Sequence, residues 1–450
     1  MHLRQFLASR VRWVRRLTLS FIIFSFALPW IASGETVIDI YGPSIPRFPI
    51  CVFPFDGGAG TSQPMQQVAQ EAHRIMTLDL KIAGFFEILD PAKALADPFR
   101  RGFGNREVDW DLLRLLGADI IVGGRVRLEG PKINWEVRVY DQPQKRMVLG
   151  KAYRGRPEDL AVMVHRLVDE IIEQYTGTPG IFQTQIAFLS KQKDSKDIYL
   201  MSPDGEGIRP LTQDQSINLS PRWSPNGKEM VFISYSGANS FLHHLALDTM
   251  SRRILSAREN MNGPACWSPD GRLLALTLTI DGNPELYLID TSGAIVKRLT
   301  HYPGIDVSPT WSPDGKDLAF VSNRSGSPQI YILELASGKI RRLTFEGDYN
   351  TDPAWSPLGD RIAYSASVNG SYEICTIRPD GKDFTRLTSS PGDDETPSWS
   401  PDGRYLAFSS TRSGSPQIFV MLYNGDNQTQ ITRIQGKQTS PAWSPRLEGK

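Results

Sequence analysis

The tripeptide Trp-Ser-Pro occurs six times, at Trp223, Trp267, Trp311, Trp355, Trp399 and Trp443, and every step is 44 residues. Equal spacing without insertions requires one supersecondary unit repeated in register. Two further columns keep the period. Apolar residues recur at strand starts Ile186, Met230, Leu274, Leu318, Ile362 and Leu406, and at turn-closing positions Leu211, Leu255, Leu299, Leu343, Leu387 and Ile431. Each unit carries four strand signals. In the fifth, residues 396–400 form a short first strand, Pro401-Asp402-Gly403 a tight turn, residues 405–410 an alternating second strand, and residues 417–421 and 429–432 the third and fourth.

A 40–50-residue period with four strands and a Trp per unit predicts a β-propeller, one unit per blade. A solenoid would need atypical polar caps at both ends. Here the ends complement each other: residues 184–212 supply the second to fourth strands of a blade, and residues 438–445 only a first strand. The expectation is an all-β six-bladed propeller with a split closing blade and no exposed edge at the seam. The Trp column reads as structural, because an indole beside a Pro-bounded turn buries about 150–250 Å² between blades. Asp270, Asp314 and Asp402 in the Pro-Asp-Gly turns read as turn chemistry, with Pro presetting φ and Gly accepting positive φ.

The remainder divides in two. Residues 1–34 contain Arg4, Arg10, Arg12, Arg15 and Arg16 and no acid, then an apolar run from Leu17 to Ile31 and the small residues Ala32-Ser33-Gly34. That is the pattern of a cleaved secretory signal, and the run is shorter than the ~20 residues of a membrane-spanning helix. Without residues 1–34 the chain has 45 basic and 49 acidic groups, a net charge of about −4 that disfavours nucleic-acid binding. Residues 35–178 lack the repeat and predict a smaller α/β domain. Its expected strands are 48–55, 120–128, 133–140 and 147–153, and its helices run from Met65 towards Gly84, over 109–116 and over 158–175. The propeller is then expected over 179–450. Cys51, Cys266 and Cys375 are widely spaced and odd in number, so at least one thiol stays outside any internal disulfide.

No catalytic motif emerges. G-x-S-x-G is absent; the nearest stretches, around Ser44 and Ser62, end in Pro46 and Pro64. The histidines, His2, His73, His165, His243, His244 and His301, contain no H-E-x-x-H, and Gly57-Gly-Ala-Gly60 lacks the Lys of a phosphate loop. What remains is a surface. Five residues before each Trp stand Asn218, Asn262, Asp306, Asn350, Asp394 and Gln438, a ring of amides and carboxylates in the loops feeding the inner strands. Two readings stand side by side: a binding ring for a peptide loop, a cationic side chain or a hard cation such as Ca²⁺, or simple turn chemistry. With neighbours Met261, Val307, Thr351, Asp352 and Glu395, these residues are the expected docking surface. No cofactor is expected beyond that Ca²⁺, and no metal site is assigned.

The tandem Trp-Ser-Pro-Asp-Gly blades, the junction Tyr175-Thr-Gly-Thr-Pro-Gly-Ile-Phe-Gln-Thr-Gln-Ile-Ala-Phe188, the terminal Ser440-Pro-Ala-Trp-Ser-Pro445 and Gly117-Ala-Asp-Ile-Ile-Val-Gly-Gly124 resemble the TolB family of the Tol-Pal system. The resemblance covers essentially the whole chain after the leader. It implies a non-enzymatic, monomeric periplasmic adaptor, touching membranes only through partners. It would link the outer-membrane lipoprotein Pal to the inner-membrane TolA and support envelope integrity and outer-membrane invagination at division. It also implies a TolA-binding segment at Glu35, Thr36, Val37, Ile38, Asp39 and Ile40, and Pal docking at the propeller mouth. The segment is followed here by Pro43, Pro46 and Pro49, a departure from the family pattern, and it reads equally as the first strand of its own domain. The rival class is a propeller accessory to a hydrolase, or a carbohydrate-binding propeller. The first would want a catalytic domain and the second aromatic rings exposed at the mouth; the sequence suggests neither.

Overall fold

A computed structural model describes residues 47–56, 63–192, 195–258 and 262–447 of the 450-residue chain. The leader, the 35–40 segment, the Gly-rich stretch 57–60 and Met261 lie outside the described residues.

The α/β portion is a five-stranded sheet with helices. In chain order it comprises β1 (Phe48–Val52), α1 (Gln63–Ala83), β2 (Phe86–Leu89), α2 (Trp110–Leu116), β3 (Ile120–Glu129), β4 (Lys132–Asp141), β5 (Arg146–Gly155) and α3 (Leu160–Thr176). The sheet order is β2-β1-β3-β4-β5; β1 runs parallel to both neighbours, and β3, β4 and β5 are antiparallel. Helix α1 is thus the crossover that a parallel β1–β2 pair requires. Its apolar stripe Met65, Ala69, Ala72, Ile75, Met76 and Leu80 is buried, as is the stripe Leu160, Val164, Leu167, Val168 and Ile171 of α3. Asp109 caps α2 by accepting from Leu112 N at 3.1 Å. Expected strand 48–55 ends at Val52, and the four-residue β2, which begins two residues after Gly84, is an addition to the expected strands.

The repeat region folds into antiparallel sheets. Four have four strands each, within 262–298, 306–342, 350–386 and 394–430. An eight-stranded sheet holds the strands between 186 and 256 together with Lys437–Trp443, and its two halves meet in one parallel pairing, Lys196 with Ile217. In every unit the Trp pairs with the strand-start residue seven positions on: Trp223 with Met230, Trp267 with Leu274, Trp311 with Leu318, Trp355 with Ile362 and Trp399 with Leu406. Trp443 pairs with Ile186, so the C-terminal strand joins the first strand of the repeat region. The core lies between consecutive sheets; Leu286 and Leu288, for example, pack with Leu318, Phe320 and Leu333.

The α/β portion rests on the repeat region through one continuous apolar cluster, in which Leu80, Phe85 and Ile171 join Tyr405, Val420 and Trp443. Helix α1 ends against it: Asn427 Nδ2 donates to the carbonyls of Lys81 and Ile82 at 3.1 and 2.9 Å, and Tyr405 Oη to that of Ala83 at 2.9 Å. These bonds satisfy carbonyls that a helix C-terminus leaves without partners. Gly84, at φ +75°, closes the helix where a Cβ would lie 2.9 Å from both Asn427 and Leu422. The junction after α3 is clamped as well. Arg404 donates to Thr176 Oγ1 (3.0 Å) and Pro179 O (2.7 Å), and Asp169 accepts from the backbone of Phe182 and Gln183.

Candidate functional site

The first strands of the sheets surround a cavity of about 480 Å³, lined by Ser220, Arg222, Ser308, Asp352, Ser398 and their neighbours on those strands. Each of these strands is broken by a β-bulge. The residue before the strand proline sits in the left-handed region in five of them: Ser220 (φ 51°), Ser308 (54°), Asp352 (50°), Thr396 (57°) and Ser440 (52°). Ladder registers slip at those points. A non-glycine residue held there costs about 1–3 kcal/mol, and bulges of this kind turn a side chain out of the ladder. The signal in the sequence is a Ser, Thr or Asp before Pro, three positions ahead of the Trp.

Arg222 and Asp352 are the only charged side chains among the residues lining this cavity. The positions equivalent to Arg222 hold Cys266, Thr310, Ala354, Ser398 and Ala442, so one guanidinium occupies a lumen otherwise walled by small groups. Burial pushes the Arg222 pKa down, partly offset by Cys266 and Asp352. It pushes the Asp352 carboxyl up, offset mainly by Arg222. All three cysteines are free, buried thiols pushed up to about 12 by burial.

The six ring residues are not a solvent-facing ring. Asn218, Asn262, Asp306, Asn350, Asp394 and Gln438 are each 0% exposed. Their side chains turn back into the loops preceding them. Asn218 Nδ2 donates to Asp214 Oδ1 (3.0 Å), Asn262 Nδ2 to Arg258 O (2.9 Å), Asn350 Nδ2 to Glu346 O (2.8 Å) and Gln438 Nε2 to Gln435 O (3.1 Å). The two carboxylates are matched by arginines: Arg324 donates to both oxygens of Asp306 (2.8 and 2.6 Å) and Arg412 to Asp394 (2.7 Å). A loop that closes one sheet and opens the next has buried backbone to satisfy, and these side chains satisfy it. Of the two readings, the turn chemistry is what the geometry displays for these six.

The partly exposed members of the expected surface are Val307, Thr351, Asp352 and Glu395. Glu395 lies near Asp352 and Asp393, and its carboxyl is pushed up by burial first and then by those two acids. Among the described residues, none of the three has an ion-pair partner within 4.0 Å. Tyr349 and Tyr372 meet edge to face beside them, with ring centroids 6.2 Å apart. Phe345 and Tyr349, on the loop entering the strand Asn350–Trp355, are 71% and 41% exposed. The expectation of a mouth without exposed aromatic rings is therefore corrected.

The Pro-Asp-Gly turns lie at the opposite ends of the same inner strands. Asp270 accepts from Ser268 Oγ (2.6 Å) and Arg272 N (3.1 Å), pure turn chemistry. Asp402 does the same but also pairs at 2.7 Å with Arg404, whose side chain is 1% exposed and grips the junction after α3. The two aspartates are thus not equivalent, and among the described residues the α/β portion contacts the turn end.

A β-propeller joined to a small α/β unit is the class of protein that the described residues define. Within that class the comparisons are specific. Residues 172–447 match the TolB beta propeller domain and residues 36–148 the TolB amino-terminal domain, and the chain belongs to the TolB family. A curated relative from Desulfosudis oleivorans, "Tol-Pal system protein TolB", is 41% identical over 210 residues, 46% of this chain and 48% of the relative. One of the same description from Syntrophotalea carbinolica is 41% identical over 168 residues, covering 37% and 39%. The chain spans about half the length of the curated relatives it matches, or less. The crystal structure of TolB from Acinetobacter baumannii superposes with a TM-score of 0.78 over 89% of this chain and 97% of that one; at 24% identity it shows the shared fold. No helix among the described residues is long and apolar enough to cross a membrane.

Proposed function

We propose that this chain is a non-enzymatic periplasmic component of the Tol-Pal system, exported by cleavage near Gly34, that docks Pal on its channel mouth and TolA on the segment 35–40. In this role it joins the two membranes and supports outer-membrane integrity and invagination at division. The eight-stranded sheet counts as two blades, which with the four separate sheets makes six, and the pairing of Lys437–Trp443 with Ile186–Gln192 supports closure by the split blade. The domains are 35–178 and 179–450.

The observation that carries the docking proposal is the mouth itself. Asp352, Asp393 and Glu395 crowd together without ion-pair partners among the described residues, beside Tyr349, Tyr372 and exposed Phe345. Such a surface favours a partner loop bearing Lys or Arg and an apolar anchor. Because the loops are stapled internally, little ordering entropy is lost on binding. The buried ring positions act by holding this surface in shape; Val307 and Thr351 belong to it directly. A Ca²⁺ in the channel is not supported by a cage: among the described residues, the one group bringing three His, Cys, Asp or Glu ligand atoms within 4.8 Å of one another lies elsewhere. The exposed aromatic rings favour a second reading, a carbohydrate stacked at the mouth.

The test is capture from envelope extract with the full mature chain as bait and partners identified by mass. Pal and TolA should be recovered together. Deleting residues 35–40 should lose TolA alone, with the melting temperature unchanged; recovery of glycan without Pal would transfer the mouth to the second reading.

A further inference from the structure

Away from the channel, two helices of the α/β portion and one turn of the repeat region bring three ionisable side chains together in the interior. Asp79 of α1, His165 of α3 and Asp204, in the turn after the strand Ser195–Met201, are 0%, 5% and 6% exposed. His165 Nδ1 lies 2.8 Å from Asp79 Oδ2, and Nε2, on the opposite edge of the ring, faces Asp204 Oδ2 at 3.8 Å. The imidazole thus stands between two carboxylates, stacked on Phe182 with 5.9 Å between centroids. The other charged groups around it are committed. Asp169 accepts from Phe182 N, Gln183 N and Gln183 Nε2 and has Arg446 at 4.0 Å. Asp204 Oδ1 accepts from Glu206 N, and Glu206 itself pairs with Arg74 of α1 at 3.1 Å.

Such a cluster is buried without net charge only if it keeps two protons. Two carboxylates and a neutral ring carry two negative charges; a proton on the ring leaves one, and a second, on a carboxyl, leaves none. Asp79 Oδ1 and Asp204 Oδ2 are buried without a hydrogen-bond partner, so as carboxylate oxygens they bear their desolvation in full. Burial pushes the Asp79 carboxyl up to about 7 against the pull of His165, and it pushes that of Asp204 up in the same way. For His165 burial works against a charged ring, but Asp79, and then Asp204 and Asp169, outweigh it and raise its proton affinity. All three groups therefore hold a proton more tightly in the folded chain than in the unfolded one, where Asp titrates near ~4 and His near ~6.5. Their contribution to stability is full in mild acid and is lost as pH rises through about 7.

We propose that Asp79, His165 and Asp204 form a proton-operated latch that fastens α1 and α3 to the repeat region. With two protons the cluster is neutral and the contact stays closed. Once they leave, two buried carboxylates flank an uncharged ring, and the helices are loosened from the turn that carries Asp204. The second attachment of α1, by Asn427 and Tyr405 to its last carbonyls, contains no acid or histidine, so pH acts on one attachment and leaves the other. The inference is independent of which partners the mouth receives.

The experiment follows amide hydrogen exchange in the full mature chain from about pH 6 to about pH 9, corrected for the intrinsic change in exchange rate. Protection in the C-terminal half of α1 and in α3 should fall by about tenfold more than in the repeat strands Asp317–Ser322 and Gln329–Glu334. In Asp204→Asn, where Asp79 and the ring balance each other with one proton, that excess should shrink severalfold; His301→Gln, an exposed control, should keep it. Should Asp204→Asn fail to fold, nitrogen NMR of the wild-type imidazole reads the same site: titration of His165 above ~6.5, in step with the amides of residues 202–205, supports the latch. An equal response in helices and repeat strands, an undiminished response in folded Asp204→Asn, or a ring that titrates below ~6.5 overturns the proposal and leaves the cluster a static ion pair.

Discussion

Asp306 and Asp394 occupy the same column as Asn218, Asn262, Asn350 and Gln438 but carry charge, and each meets an arginine 18 positions on, Arg324 or Arg412. After the three asparagines that position holds Ser236, Ile280 and Val368. The arginine appears where the acid does because a fully buried carboxylate needs a cation or must neutralise. Arg324 is held in turn by the faces of Tyr302, Phe320 and Tyr331, 5.0 to 5.4 Å away. Breaking such a pair is costly even where forming it gains little, because the surviving ion stays desolvated. Asp306→Ala should therefore lower unfolding free energy by about 3 kcal/mol in urea titrations. Asp306→Ala with Arg324→Ala should lose less than the sum of the single changes, and Asp270→Ala, in a solvated turn, under about 1 kcal/mol. The position of this ring was legible from the 44-residue period alone. Its burial was not, since a period gives the column a residue occupies but not whether its side chain faces the lumen or its own loop; the co-occurring Arg324 and Arg412 are the trace that burial leaves in the sequence.

At the level of elements, sequence pattern served where an element is long and periodic. Helices α1 and α3 follow from their apolar stripes, and β3 to β5 lie within two residues of expectation, because one-sided burial imposes a period directly on composition. Strand β2, only Phe-Glu-Ile-Leu, is too short to show one. The docking of α1 by Asn427 and Tyr405 joins residues over 300 apart in the chain and leaves no local trace. The seam combines both kinds of information. Trp443 is 6% exposed, donates to Thr184 Oγ1 at 2.8 Å and pairs with Ile186, while Trp223 Nε1 donates to Ala442 O at 3.0 Å. Trp443→Ala should cost about 3–5 kcal/mol, a large share of a typical 5–15 kcal/mol, and broaden the thermal transition. A variant melting like the parent would mean the seam does not hold the repeat region together.

For the whole molecule, the two ends of the inner strands do different work. The turn end carries the α/β portion, gripped by Arg404, Tyr405 and Asn427. The mouth end presents acids and aromatic rings with no cover among the described residues. The proposed docking of Pal therefore rests on the mouth end, and it is the claim on which the rest depends. The most direct measurement is calorimetric titration of Pal into the mature chain, comparing Glu395→Lys at the mouth with Asp270→Lys at the turn end. Reversal at Glu395 should weaken binding more than tenfold, about 1.4 kcal/mol, with the melting temperature unchanged, and reversal at Asp270 should leave affinity as it was. Weakening by Asp270→Lys with undiminished binding by Glu395→Lys would contradict the account and place the partner on the other face.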